Sequence, residues 1–183
     1  MLALWIVLGI VGVVLLYGAL TYNRLVRRRV RTENAWSQID VQLRRRYDLI
    51  PNLMEAVKGY ATHERELFEE VTRARSRAEA ASGVPEQAEA ENRVTRGLRQ
   101  LLAVAENYPQ LRANQSFLAL QEELTATESK IAFARQFYND QVMSLNTLIQ
   151  SFPPSLVAAL GRFRPREFFE IEEPARGPVG VEF

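Results

Sequence analysis

The chain has 183 residues, with 23 lysines and arginines against 22 acidic residues and a net charge of +1. That length suits one domain with a modest core, and the near-balance of charge argues against a nucleic-acid binder acting over its whole surface. Cysteine is absent, which excludes disulfides, iron–sulfur clusters, thiol catalysis and cysteine zinc sites.

Residues 2–22, LALWIVLGIVGVVLLYGALTY, carry no charge. About 20 apolar residues cross the hydrocarbon layer as a helix, so the length fits one span. Trp5 lies near one end and Tyr17 and Tyr22 toward the other, where amphipathic rings favour the interface. A cleaved signal peptide carries a basic leading region and a shorter apolar run. Neither is found here, so the segment reads as a retained membrane anchor. Gly9, Gly12 and Gly18 make no GxxxG spacing, so a dimerising span is only weakly indicated.

Arg24, Arg27, Arg28, Arg29 and Arg31 come directly after the apolar run. Basic residues flanking a span mark its cytoplasmic side, which places the short N-terminus outside and the remainder of the chain in the cytoplasm. The same five side chains suit anionic lipid headgroups, each worth about 1 kcal/mol near the surface. A nucleic-acid arm is disfavoured, because the cluster lacks the interleaved aromatics that stack bases.

Few glycines and prolines interrupt residues 24–152, and the apolar spacing there is helical. The clearest stripe joins Phe117, Leu120, Leu124, Thr127, Ile131, Ala134, Tyr138, Val142, Leu145, Ile149 and Phe152. Its spacings alternate between three and four, apart from two fours in succession at Tyr138, a stutter that locally unwinds a supercoil. A second stripe runs through Ile39, Leu43, Ile50, Leu53, Val57 and Ala61, extended by Leu67, Val71, Ala74 and Ala78. A third holds Val94, Leu98, Leu101, Leu102 and Ala105.

SGVPEQ, residues 82–87, is the turn between the second and third stripes, with Gly83 ending one helix and Pro85 opening the next. Pro109 breaks the chain again within residues 106–114. Pro51 leaves two alternatives: a kink, giving three long helices, or a reversal, giving four. DLIPNL holds no glycine and no room for a loop, which favours the kink. Either way the expectation is an antiparallel bundle of three to four long helices. After the prolines at 153 and 154 come a short helix over 156–160 and a tail. Phe163, Phe168 and Phe169 are expected to pack on the bundle, and the last ten residues to be loose.

Residues 33–64, ENAWSQIDVQLRRRYDLIPNLMEAVKGYATHE, and 106–142, ENYPQLRANQSFLALQEELTATESKIAFARQFYNDQV, resemble the LemA family of bacterial membrane proteins. The leading span and YNRLVRRR match the family's layout too, and the likeness extends from about residue 2 to 169. It implies a single-pass protein of the bacterial inner membrane with a cytoplasmic antiparallel helical bundle, loosely linked with envelope or membrane organisation. It implies no defined reaction.

Residues suited to chemistry are few. His63, the sole histidine, sits in THEREL; a helical zinc motif needs a second histidine four positions on, and that position is Leu67. No metal and no cofactor are therefore expected. Asp40 and Arg44 are spaced as a surface ion pair, and Arg45, Arg46 and Asp48 are further charges of the same helix. No pair of carboxylates lies on an apolar face, and neither a phosphate loop nor a nucleophile elbow is found. No catalytic residue is assigned.

Trp36, Tyr60, Asn107 and Tyr108 read first as residues that cap helices and set their angles. Trp36, Asn107 and Tyr108, with Phe168 and Phe169, are the candidates for a protein contact. Arg135 and Asn139 beside the long stripe suggest a polar network that fixes register.

The sequence thus predicts an all-α protein in four parts. Residues 1–22 form a transmembrane anchor, 23–31 a basic juxtamembrane collar, 32–152 a cytoplasmic bundle, and 153–183 a short helix and tail. The expected role is that of a non-enzymatic membrane scaffold that self-assembles, with the lipid bilayer as its first partner and no nucleic acid. The alternative is an adaptor that regulates a membrane protein, such as an envelope-stress protease.

Overall fold

The computed structural model describes residues 1–61 and 63–170, and every regular element among them is helical. Helix α1 spans Leu2–Lys58, α2 Arg65–Ala80, α3 Val84–Glu106, α4 Pro109–Arg112, α5 Gln115–Gln150 and α6 Pro154–Leu160. The looseness expected of the last ten residues concerns positions outside the described ones.

Helix α1 holds the apolar segment, the arginine cluster and the first part of the second stripe in 57 unbroken residues. It is the one helix among the described residues that is long and apolar enough to cross a membrane, and none of that apolar stretch is buried within the protein. Pro51 lies inside α1, exposed. Its ring removes one backbone donor and strains the preceding turn. The helix nevertheless continues, because Ile50 on one side and Leu53 and Val57 on the other are completely buried.

The reversal comes seven residues later. After Lys58, Tyr60 and Ala61 return their N–H groups to the Val57 carbonyl, and the Glu64 N–H bonds the Ala61 carbonyl ahead of α2. The expected continuation of one stripe from Val57 through Leu67 is therefore interrupted. Phe68, not Leu67, is the buried residue that opens α2's inner face, followed by Val71, Ala74 and Ala78.

The remaining boundaries reflect local chemistry. Gly83 takes φ 83°, a conformation costly for side chains bearing a Cβ, and leads into α3, whose first turn holds Pro85. The Glu86 carboxylate accepts a 3.0 Å bond from the Ser82 N–H, satisfying one of the donors stranded before that first turn. Tyr108 is extended ahead of Pro109, the conformation proline imposes on its predecessor. Asn114 caps α5 by accepting bonds from the Ser116 and Phe117 N–H groups at 2.9 and 3.3 Å.

The described chain forms two compact units. One contains residues 1–41 and 130–168. Its core gathers Leu25, Leu145, Leu148 and Ala158, with Ile149, Val157 and Phe163 packed around them. In the same unit Trp36 lies against Tyr138 with ring centroids 5.4 Å apart. The second unit contains residues 42–129 together with Phe169 and Glu170. There α2 and α3 pack face to face, closely enough that a Cβ on Gly97 would lie 3.0 Å from Val71 Cγ2. Along α5, Phe117, Leu124, Thr127, Ile131, Ala134, Tyr138, Val142 and Leu145 are buried, while Leu120 and Ile149 of the same stripe are half-buried and Phe152, past the end of the helix, is 81% exposed, so the seam stops short of its expected end.

Candidate functional site

Two constellations concentrate charged and aromatic side chains. The first belongs to the unit of residues 1–41 and 130–168 and is built around the expected collar. The 3.6-residue period of α1 distributes the five arginines around the helix, so they do not share one environment. Arg24, Arg27, Arg29 and Arg31 are the more exposed. Arg29 lies 5.8 Å from the centre of the Phe163 ring, and Tyr22 meets the same ring edge-on at 5.6 Å. A cation over an aromatic face and an edge-to-face ring pair are both favourable geometries. Phe163 is thus held between the last aromatic residue of the apolar segment and the collar.

Residues 163–168 then run as a strap across the same unit. The Asn146 side chain pairs with the Arg166 backbone twice, donating to its carbonyl and accepting from its N–H, both at 2.8 Å. The Arg166 guanidinium reaches the Glu33 carboxylate at 3.1 Å, and Glu33 also faces Arg29 at 3.8 Å. The Tyr138 hydroxyl donates to the Glu167 carbonyl at 3.0 Å. Burial pushes the Tyr138 phenol above its usual pKa; the nearby Arg166 cation opposes that shift and Glu167 adds to it.

The second constellation lies in the other unit and was not expected. Arg46 on α1 and Glu91 on α3 are 1% and 0% exposed, a burial that the sequence reading assigned to neither. Their charged groups face each other as an ion pair. Arg46 also reaches Glu128 on α5 at 2.9 Å and the Thr95 hydroxyl at 3.4 Å. The second oxygen of Glu91 accepts from the Tyr47 hydroxyl and, at 2.7 Å, from the Gln87 amide. Gln87 also contacts the Tyr47 hydroxyl at 3.0 Å and donates to the Ala78 carbonyl at 3.1 Å. Burying a charge is costly unless it is paired and hydrogen-bonded. Here one cation meets two carboxylates, and each of the buried pair has further polar partners.

Such a network ties α1, α3 and α5 in a single register, since sliding any of them by one turn would strand a charge. The sequence carried its trace. Between Leu43 and Ile50 the second stripe skips a seam position, and that position is Arg46. Glu91 stands three residues before Val94, in phase with the third stripe.

The other candidate residues are divided between the two units, Trp36 and Phe168 in one and Asn107, Tyr108 and Phe169 in the other. Asn107 is exposed at the end of α3, and Tyr108 is half-buried before α4. Phe168 is partly exposed, whereas the Phe169 ring is fully buried and offers no surface to a partner. Trp36 is half-buried against Tyr138. His63 sits exposed in the link between α1 and α2 rather than on a helix. Among the described residues no group of three or more metal-ligating side chains converges.

Relatives of known name share this sequence at a distance. The chain is 25% identical to magnetosome protein MamQ 2 of Paramagnetospirillum magneticum, over 84% of this chain and 66% of that protein. It is 23% identical to magnetosome protein MamQ of Magnetospirillum gryphiswaldense over the same shares. It is 27% identical to protein LemA of Metamycoplasma hominis, over 74% of this chain and 63% of that one. The chain thus spans just under two thirds of the length of these relatives. The sequence profile of the LemA family matches residues 35–183, well over half of the chain, and covers the Arg46–Glu91 network and the strap alike: the chain belongs to the LemA family.

Proposed function

We propose that this chain is a membrane-anchored helical scaffold without catalytic activity. It sits in the bacterial inner membrane with its helical body, an antiparallel bundle, on the cytoplasmic side, and it assembles with further copies of itself. The observation that carries this reading is the continuity of α1. One 57-residue helix joins an uncharged, exposed apolar stretch to the segment bearing Arg46, with no loop between them. A connection without a loop suits a structural element better than a mobile one. The five arginines after the apolar stretch support the cytoplasmic placement of the helical body. A role in envelope or membrane organisation accords with the family's general association.

Self-assembly is supported by α5's outer face. Its buried seam is largely consumed within the chain, yet Phe133 and Phe137, one turn apart, remain 75% and 39% exposed. Aromatic pairs left in water mark association surfaces. The particle mass of the full chain in mild detergent tests this. A mass of several copies is expected, reduced to that of one copy by Phe133→Ser with Phe137→Ser. A single-copy mass for the unaltered chain would refute self-assembly.

A further inference from the structure

A short apolar element accompanies the anchor. Helix α6 is seven residues long and two-sided. Val157 and Ala158 face the core formed with Leu25, Leu145 and Leu148. Leu156 and Leu160, one turn apart on another face, are 59% and 86% exposed, and Phe152 at the preceding corner is 81% exposed. Large apolar side chains grouped this way are poorly suited to water.

Their depth along α1 identifies what covers them. Between α6 and α1 lies a cleft of ≈ 980 Å³, lined by Leu156 and Leu160 on one side and by residues from Val13 to Asn23 on the other. From Val13 to Tyr22 a helix rises about 14 Å. The hydrocarbon layer is about 30 Å thick. If residues 2–22 span that layer, α6 lies beside the half of the span that ends at the arginines.

Charge agrees with this placement. Arg162 and Arg164, both exposed, come directly after α6, and Arg24 and Arg27 are exposed on α1. Lipid headgroups are the anionic layer bordering an apolar one. The turn itself is closely fitted: a Cβ on Gly161 would lie 2.7 Å from the Phe163 ring, the ring held between Tyr22 and Arg29.

We propose that α6 and the Phe152 corner are submerged in the arginine-side leaflet, with Leu156 and Leu160 among the acyl chains and Arg162 and Arg164 at the headgroups. The chain is then held in the bilayer at two places, one spanning and one dipping. This inference rests on the reading of residues 2–22 as a span.

The absence of cysteine lets single cysteines report position. Leu156→Cys, Leu160→Cys and Phe152→Cys, each in the full chain, are labelled with an environment-sensitive fluorophore and reconstituted into vesicles of zwitterionic and anionic phospholipid. Leu8→Cys serves as the bilayer reference and Ser76→Cys, exposed on α2, as the water reference. Nitroxide carried on the lipid chains is expected to quench the labels at 156 and 160 as strongly as at 8. Aqueous iodide is expected to lose the quenching it shows at 76. Iodide quenching equal to that at 76 would overturn the proposal. So would shielding from both quenchers, which would assign the face to a second copy of the chain. Loss of lipid quenching at 8 as well would locate the failure in the span itself, whereas quenching at 8 alone would confine it to α6.

Discussion

Arg46 shows how a single side chain can decide register. Its guanidinium is enclosed, so its energy depends on Glu91, Glu128 and Thr95 rather than on water. Removing one member of a buried ion pair leaves an uncompensated charge, typically at a cost of about 3–5 kcal/mol. Arg46→Met and Glu91→Leu should each destabilise the chain on that scale in denaturant unfolding. The two together should cost clearly less than the sum, because neither buried member is left facing an empty partner and Glu128, which loses Arg46, is 39% exposed to water. Additive losses would speak against the pairing. From sequence alone Arg46 reads as one more charge of its helix, because a charged residue in a seam looks like an interruption of the stripe. The seven-residue step from Leu43 to Ile50 is the readable sign; the partner Glu91 is found only by asking which opposite charge occupies a seam position elsewhere.

Tyr138 offers a second test at this scale. Its pKa is raised in the folded chain, chiefly by burial, so between the unfolded and folded values the folded state binds more protons. Stability from this group is intact below the ordinary tyrosine value of about 10 and declines as pH rises through the folded value. Tyr138→Phe should flatten that alkaline decline while lowering stability at neutral pH by about 0.5–1.5 kcal/mol, the worth of the bond to the Glu167 carbonyl. Unfolding curves at pH 7 and above pH 10 measure both effects. An unchanged alkaline slope in the variant would count against the assignment.

At the scale of elements, α1 is the instructive case. Pro51 carries the penalty of an interior proline, yet the helix continues through it with buried residues on both sides. Pro51→Ala restores the missing donor at an exposed position and should stabilise the chain by up to about 3 kcal/mol. A loss of stability in thermal unfolding would mean that the proline sets a bend the fold needs. The absence of a reversal at Pro51 was legible in DLIPNL, but the true reversal at Gly59 was not. Val57 and Ala61 are four apart and the sequence reading prolongs them through Leu67, so periodicity masks a turn that Gly59 and the one-residue shift to Phe68 mark in the fold. The strap is illegible for a different reason. Nothing local in residues 163–168 announces that Asn146 and Glu33 will receive Arg166.

At the scale of the whole molecule, the helical class and the apolar leader are legible because both rest on composition and period, which any helix of that length must obey. Which polar groups the fold gathers is not, because Arg46, Glu91 and Glu128 are distant in sequence and meet only through packing. The proposed scaffold requires residues 2–22 to remain attached and to lie in lipid. Alkaline carbonate washing of membranes from cells producing the chain, with the recovered protein sequenced at its N-terminus, is the decisive measurement. The chain is expected to stay in the membrane pellet with residues 2–22 joined to the rest. Release into the wash, or a mature chain beginning near Asn23, would refute the anchor and the scaffold together.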